Sequence, residues 1–288
     1  MRQWTVDAFT DRPFGGNPAC VVEPLADWPS AGWMQAMARE NNAGATAFMV
    51  AGETPQQFAI RWFTASVEVP LCGHATLAAA HVLFDELKVG MERIEFETDS
   101  GSISVRKAPD GIEMNLPLQA AARIPPPPGL ADALGVSPAE VWAGPYLVAL
   151  LDSAAAVRAV VPDGARLRTI SLDHGGQGNV GVAAPADAGT GYDVIDRFFA
   201  PGYGIEEDKA TGSFHCILAP IFAAKLKTER LRFHQASPGR GADMVSRIDG
   251  TRVLLSGKAV TIAESTLRVA PAAPQDGKSD RPKPAGRR

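Results

Sequence analysis

A cysteine, a glycine and a histidine stand together at Cys72, Gly73 and His74, directly in front of the apolar stretch ATLAAAHVLFDEL. Such a trio is compatible with three kinds of chemistry. The thiol could do redox work, the cysteine and histidine could both ligate a metal, and the glycine could let an anion approach the N-terminus of a helix.

The spacing of the polar residues argues against a metal or a cofactor. His74 and His81 are two helical turns apart, and no carboxylate or thiolate completes a ligand set. The three cysteines Cys20, Cys72 and Cys216 cannot all pair and form no CxxC motif, which predicts reduced thiols in a cytoplasmic protein. The chain also lacks a P-loop, a GxGxxG after a strand and a lysine in a recognisable pyridoxal phosphate setting. We therefore predict that the protein holds neither a metal nor a cofactor.

A second copy of the pattern follows in the C-terminal half. The segment IRWFTASVEVPLCGHATLAAAHVLFDEL aligns with IDRFFAPGYGIEEDKATGSFHCILAPIFAAKL, which places Gly73 and His74 over Gly212 and Ser213. In each copy an extended segment passes through the glycine into a helix that is apolar on nearly every side. Such a helix must be surrounded by protein, so the sequence predicts an internal duplication with one buried helix in each half.

Strand-like segments such as WTVDAFT, TAFMV, FAIRWFT and DVIDRFFA dominate the rest of the chain. One further helix is predicted over WPSAGWMQAMARENN, with Ser30 as its N-cap. With so many strands for each helix, a curved sheet around one central helix is the economical arrangement. The predicted fold class is therefore α/β (α+β), with two pseudo-symmetric domains, each a curved, mostly antiparallel sheet wrapped around a central helix.

Proline-rich stretches suggest the domain boundaries. Four consecutive prolines at 125–128 favour a stiff, extended connector. The predicted domains are 1–118 together with about 263–270, and 129–262. The stretch 271–288 is rich in Pro, Lys and Arg and has no apolar periodicity, which predicts a disordered tail.

The composition excludes several classes of partner. At 288 residues and 45% hydrophobic content the chain can bury a substantial core. A net charge of −4 with scattered basic residues gives no footprint for nucleic acid, and no apolar run approaches the length of a membrane span. The start MRQWTVDAFT lacks the apolar region of a signal peptide. We expect a cytoplasmic protein with a small-molecule partner, and neither nucleic acid nor membrane.

The two predicted helices suggest how that small molecule is bound. If a pseudo-twofold axis relates the halves, the helix N-termini face each other across a cleft, and each offers backbone N–H groups and a positive dipole end to a carboxylate. Gly73 and Gly212 would allow the backbone to approach closely. His74 and Ser213 would transfer protons or donate hydrogen bonds, and Asp208 would place a carboxylate at the rim.

Four blocks, in this order, resemble the PhzF-like phenazine-biosynthesis isomerase family: VDAFTDRPFGGNPACVV, VEVPLCGHATLAAAHVL, RFFAPGYGIEEDKATGSFHCILAP and RVLLSGKAVTI. The resemblance runs from about residue 3 to residue 270. It implies the fold of diaminopimelate epimerase and proline racemase, an active site between two similar domains, and a homodimer. It also implies cofactor-free isomerisation by proton transfer, for which the best-studied substrate is trans-2,3-dihydro-3-hydroxyanthranilate.

Carried over by motif, the resemblance implies His74, Asp208 and Ser213 as catalytic residues. It implies the backbone of Gly73 and of Gly212 as substrate-binding groups. All five residues are present in this chain.

The chain departs from the family where the acid/base glutamate belongs. Family members resemble MNLSETAF where this chain has NNAGATAF, so Ala45 takes the position of the glutamate and Gly44 that of a serine. Losing a positioned general acid/base costs about 10² to 10⁴ in rate. Two alternatives stay open. One is a non-catalytic protein that binds small carboxylates. The other is an epimerase or dehydratase whose base is Cys72. Related racemases resemble CGHG and use a thiol in each half, and the second position here is Thr211, a pairing that resembles the Cys/Thr arrangement of hydroxyproline dehydratases.

Overall fold

The computed structural model describes residues 1–99 and 101–273. The chain divides into two compact units. One comprises Met1–Asn115 and the chain from Ser256, and the other comprises Leu116–Leu255.

Strands make up most of the regular structure. In chain order they are β1 (Arg2–Ala8), β2 (Asn17–Val22), β3 (Ala45–Ala51), β4 (Gln57–Phe63), β5 (Glu68–Val69), β6 (Arg93–Thr98), β7 (Gly101–Ala108), β8 (Gly111–Pro117), β9 (Ala122–Ile124), β10 (Glu140–Ala143), β11 (Leu147–Leu150), β12 (Val180–Pro185), β13 (Val194–Phe199), β14 (Glu207–Asp208), β15 (Arg230–Gln235), β16 (Ala242–Asp249), β17 (Arg252–Gly257) and β18 (Ala259–Thr266). The α-helices are α1 (Ala31–Asn41), α2 (Gly73–His81), α3 (Leu130–Leu134), α4 (Ala154–Ala159), α5 (Gly164–Asp173) and α6 (Gly212–Leu226). None of the helices in the described residues is both long and apolar enough to cross a membrane.

The two units repeat one pattern of strand pairing. In the first unit β2 and β3 are parallel, β4 is antiparallel to β3, and β6 is parallel to β4. In the second unit β11 and β12 are parallel, β13 is antiparallel to β12, and β15 is parallel to β13. The strands that flank these sets pair antiparallel. The predicted fold class, two pseudo-symmetric and mostly antiparallel α/β domains, is therefore confirmed.

Helix α2 is the central helix of the first unit. Every residue from Gly73 to Ala80 is buried, as the uniformly apolar sequence predicts. The helix packs against β1, β2, β3 and β18. Its buried Thr76 hydroxyl is satisfied locally, because Oγ1 donates to Cys72 O at 2.7 Å. The helix continues as one π-helical turn over Val82–Glu86.

Helix α6 occupies the same place in the second unit. The ring of Phe214 lies 5.0 Å from that of Phe198 on β13. It also covers Gly181 on β12, where a Cβ would lie 2.0 Å from the ring, so only glycine fits there. His215 aligns with Thr76 of α2 and makes the equivalent contact, with Nδ1 donating to the carbonyl of the N-cap Thr211 at 2.9 Å.

A buried arginine–glutamate pair occupies the same position in each unit. Arg61 on β4 donates two hydrogen bonds of 2.8 Å to Glu68. Arg197 on β13 donates bonds of 2.9 and 2.7 Å to Glu207. The residues that follow the two glutamates are therefore also equivalent: Val69 in the first unit corresponds to Asp208 in the second.

The first domain boundary differs from the prediction. It falls inside β8, between Asn115 and Leu116, three residues before the predicted end at 118, and the prolines of 125–128 belong to the second unit. Strand β9 already belongs to the second unit, where Ile124 pairs with Val141 of β10. The prolines therefore follow an element of the second unit and do not connect the two units.

The second boundary is also earlier than predicted. Residues 256–262 belong to the first unit, because β18 pairs with β1 from Ala259, opposite Ala8. The predicted tail 271–288 lies outside the described residues from residue 274 onward. Its beginning is held by the first unit, since Ala272 O accepts a 2.8 Å hydrogen bond from Ser30 N.

Candidate functional site

In the first unit the predicted residues lie at the N-terminal end of α2. Cys72 is the N-cap, Gly73 is the first helical residue, and the side chain of His74 is 6% exposed. Cys72 Sγ lies 3.5 Å from His74 Nδ1. The cysteine side chain makes no capping hydrogen bond, so it does not occupy the N–H groups of the first turn.

The loop before β3 packs against His74. Gly44 N donates to Pro18 O at 3.0 Å, which ties the loop to the start of β2. A Cβ at Gly44 would lie 3.1 Å from His74 Nε2 and 2.5 Å from Oδ1 of Asn17, whose side chain is 1% exposed. The structure leaves no room here for the serine that the family resemblance leads one to expect.

Ala45 is the first residue of β3 and is 1% exposed. It pairs with Ala19 of the parallel strand β2. Its methyl group cannot exchange a proton. Of the residues described at this end of α2, His74 and Cys72 carry side chains that can, through an imidazole and a thiol.

In the second unit the predicted residues surround the N-terminus of α6. Thr211 is the N-cap, and its side chain does not bond to the helix but donates to Asp208 Oδ2 at 2.7 Å. Gln235 is fully buried and holds both residues: its Oε1 accepts from Thr211 N and its Nε2 donates to Asp208 O, each at 2.8 Å. The Asp208 carboxylate is thus fixed just ahead of the first turn, which begins at Gly212.

A chain of hydroxyl groups leads away from Ser213, which is half-buried. Ser213 Oγ lies 3.0 Å from Tyr146 OH, and Tyr146 OH lies 2.9 Å from Tyr203 OH. Tyr203 in turn donates to Gln177 Oε1 at 3.0 Å. We refer to these four residues as the hydroxyl chain. Burial raises the pKa of Tyr146, which is 6% exposed.

Tyr146 was not predicted from the sequence, because it lies 67 residues from Ser213 and belongs to no motif. The duplication nevertheless contains a signal for it. The parallel ladders begin at the pairs Ala19↔Ala45 and Leu147↔Val180, so Tyr146 is the equivalent of Pro18, which contacts Gly44 in the first unit. Extending the repeat alignment to these strands would have placed Tyr146 beside the helix N-terminus.

The structure thus brings the predicted residues together within each unit: Cys72, Gly73 and His74 with Gly44 and Ala45 in the first, and Asp208, Gly212 and Ser213 with Thr211 in the second. Among residues 1–99 and 101–273, no group of three or more His, Cys, Asp and Glu side chains could hold a metal ion.

Comparison with known proteins identifies relatives along most of the chain. The model of the PhzC-PhzF family, described as phenazine biosynthesis-like protein, matches residues 6–265. An uncharacterized isomerase of Pseudomonas aeruginosa is 42% identical over 265 residues, which cover 92% of this chain and 97% of that protein. The crystal structure of a PhzF-family phenazine biosynthesis protein from Enterococcus faecalis is 35% identical, with a TM-score of 0.85 over 92% of this chain and 99% of that one. A hydroxyproline epimerase from Agrobacterium vitis, at 12% identity and a TM-score of 0.55 over 92% of this chain and 91% of that one, shares the fold.

Proposed function

Because the chain belongs to the phenazine biosynthesis-like PhzC-PhzF family, we propose that it is a cofactor-independent isomerase that moves a proton on a small, carboxylate-bearing amino or hydroxy acid. Relatives that match nearly its whole length are named isomerases. The observation that carries the proposal is the packing of His74, whose imidazole can accept and donate a proton, at the N-terminus of the buried helix α2, where no side chain caps the helix.

The carboxylate of the substrate is bound by backbone N–H groups of a first helical turn. Neither N-cap side chain, Cys72 or Thr211, makes a capping hydrogen bond to its helix, and the helix dipole favours a negative charge there. Gly73 and Gly212 are the first residues of the two helices, and because they have no side chain a ligand can approach the backbone closely.

Proton transfer is assigned to His74 and Asp208. The imidazole of His74 replaces the missing carboxylate of the family as the group that accepts and donates the proton. The Asp208 carboxylate accepts hydrogen bonds from Thr211 Oγ1 and Lys209 N, and the backbone carbonyl of Asp208 accepts one from Gln235 Nε2, so the carboxylate has a defined position. With Ala45 in place of the glutamate, turnover of the family's best-studied substrate should be slow, by about 10² to 10⁴.

A second candidate is an epimerase or dehydratase that uses Cys72 as its base. It is favoured by the 3.5 Å contact between Cys72 Sγ and His74 Nδ1, because an adjacent imidazole can take the proton of a thiol. The two candidates differ in which side chain must be present for proton exchange.

The test is incorporation of deuterium from D₂O into dihydrohydroxyanthranilate and a panel of amino and hydroxyproline-like acids. We expect exchange by the native protein, with loss in His74→Gln and retention in Cys72→Ala. Loss in Cys72→Ala, with retention in the matched control Cys20→Ala, would favour the thiol-dependent enzyme. Cys20 is a suitable control because it is buried in the same unit, where its Sγ contacts Thr5 Oγ1.

The remaining outcomes decide between an enzyme and a binding protein. Binding by calorimetry without exchange in the native protein, together with exchange in Ala45→Glu, would indicate a carboxylate-binding protein that lost its base. Neither binding nor exchange would refute the proposed function. The proposal includes a cytoplasmic homodimer, which light scattering tests against the 30.4 kDa mass of one chain.

A further inference from the structure

The direction of the hydrogen bonds along the hydroxyl chain is set at its outer end. Tyr203 donates its only hydroxyl proton to Gln177 Oε1, because an amide oxygen can only accept. Tyr203 must therefore accept in its 2.9 Å contact with Tyr146. Tyr146 uses its proton in that contact, so it must accept in the 3.0 Å contact with Ser213. The hydroxyl proton of Ser213 consequently points at Tyr146.

This direction decides what Ser213 can offer to a ligand. Ser213 is half-buried and therefore reachable, but its remaining hydrogen-bonding capacity consists of oxygen lone pairs. A carboxylate oxygen has no proton to donate, so it could not form a hydrogen bond to Ser213 Oγ and would be repelled by its lone pairs. An amine, an ammonium or a hydroxyl group would instead donate into the free position.

The environment of Tyr146 preserves the direction of the hydrogen bonds along the hydroxyl chain at neutral pH. Burial raises the pKa of Tyr146, so the phenol keeps its proton and the chain keeps its direction. The Asp208 carboxylate accepts a hydrogen bond from Thr211, two residues before Ser213, and its charge raises the pKa of Tyr146 further. A negative charge favours an ammonium and disfavours a second carboxylate at this point.

We propose that Ser213, oriented by Tyr146, is a hydrogen-bond acceptor that selects substrates with an amine, ammonium or hydroxyl group beside the carboxylate. The inference rests on the proposed function, since it assigns the polarity of one part of the same site. The carboxylate is then left to the backbone N–H groups, and Ser213 does not donate to it as the sequence alone suggested. Tyr146 acts through Ser213 and is a positioning residue.

The experiment compares ligands that differ in one group, which donates hydrogen bonds in one member of each pair and cannot donate in the other. L-Proline is paired with tetrahydrofuran-2-carboxylate, whose ring oxygen replaces the amine, and anthranilate is paired with 2-methylbenzoate, whose methyl replaces the amine. Affinities are measured by calorimetry on the full chain. We expect at least one pair to bind, and in every pair that binds the donor-bearing member should bind about tenfold tighter or more, because the other leaves the acceptor unpaired.

Variants then test the two residues. Ser213→Ala removes the acceptor. It should bring the affinity ratio to about one in the anthranilate pair, whose amine is uncharged, and should lower the ratio in the proline pair, where Asp208 still favours the ammonium. Tyr146→Phe frees the proton of Ser213 to face the ligand and should lower both ratios, that of the anthranilate pair to one or below. Tyr203→Phe, a second variant in case Tyr146→Phe folds poorly, lets Tyr146 donate to Ser213 and should also lower both. Tyr192→Phe is the matched control, since Tyr192 lies in the same unit against His234 and should leave the ratio unchanged.

Three results would overturn the inference. Equal affinities within each pair for the native protein would remove the acceptor role of Ser213 while leaving the carboxylate-binding function intact. An unchanged ratio in a folded Tyr146→Phe variant would remove the positioning role of Tyr146. If none of the four ligands binds the native protein, the acceptor role fails together with the proposed carboxylate site.

Discussion

Adding one methyl group at Gly44 tests the packing around His74. The Cβ of an alanine would lie 2.5 Å from Asn17 Oδ1, 3.0 Å from Pro18 O and 3.1 Å from His74 Nε2. The Asn17 side chain is 1% exposed and cannot turn into solvent, and Pro18 O is held by its hydrogen bond from Gly44 N. Overpacking of this kind costs about 1–3 kcal/mol in the free energy of unfolding.

The assay is thermal denaturation of Gly44→Ala beside a matched control, Gly32→Ala. One kcal/mol shifts the Tm of a domain of this size by about 2–4 °C, so Gly44→Ala should lower the Tm by roughly 2–12 °C. A Cβ at Gly32 meets nothing within 4 Å and lies in helix α1, so Gly32→Ala should be neutral or stabilise by about 0.5–1 kcal/mol.

Binding gives a second measurement on the same variant. Asn17 and the imidazole of His74 must both shift to admit the methyl group, so affinity for small carboxylates should fall in Gly44→Ala and stay unchanged in Gly32→Ala. If Gly44→Ala melts at or above the native temperature and binds carboxylates equally well, residue 44 does not pack against Asn17 and His74, and the geometry assigned to this end of α2 is wrong.

Further predictions concern buried groups outside the site. Burial raises the pKa of Cys216 to about 12 and also raises that of Cys20, so neither thiol should react with iodoacetamide in the folded protein at mildly alkaline pH; rapid labelling of Cys216 detected by mass spectrometry would contradict this. Burial lowers the pKa of His81 from 6.5, so the unfolded chain binds a proton that the folded chain does not, and stability should fall as the pH drops below 6.5. Tm measured against pH should fall less steeply in His81→Gln, and an identical slope would argue against a buried neutral imidazole. Glu68→Gln leaves the buried Arg61 without its charged partner and should cost about 3 kcal/mol in urea denaturation; a loss below about 0.5 kcal/mol would contradict the pairing.

Local patterns predicted the central elements because their causes are local. A helix that is apolar on every side can only be buried, which is why α2 was correctly predicted at the centre of its unit. Ser30 was correctly predicted as an N-cap, since its Oγ accepts from Trp33 N at 3.2 Å. The prolines at 125–128 were wrongly interpreted as a connector between the units, because proline stiffens a segment without indicating which unit the neighbouring residues belong to. The assignment of this segment to the second unit depends on the pairing of Ile124 with Val141, which no local sequence pattern encodes.

The candidate site was predicted only in part because its chemistry lies where the two copies differ. Duplication gives both units the same strand pairing and the same arginine–glutamate pair, and sequence alignment finds what is shared. The two units differ in the side chains at equivalent positions. Val69 of the first unit corresponds to Asp208 of the second, and Pro18 corresponds to Tyr146.

These differences give the two units different chemical roles. The first unit places a thiol and an imidazole 3.5 Å apart at the start of its helix, and both can exchange a proton. The second places the carboxylate of Asp208 and the hydroxyl chain at the start of its own helix, and we propose that these groups select the polarity of the ligand. Proton exchange is assigned to the first unit and ligand selectivity to the second, so different variants should affect them. Tyr146→Phe should change the affinity ratio within the ligand pairs, and His74→Gln should abolish deuterium exchange.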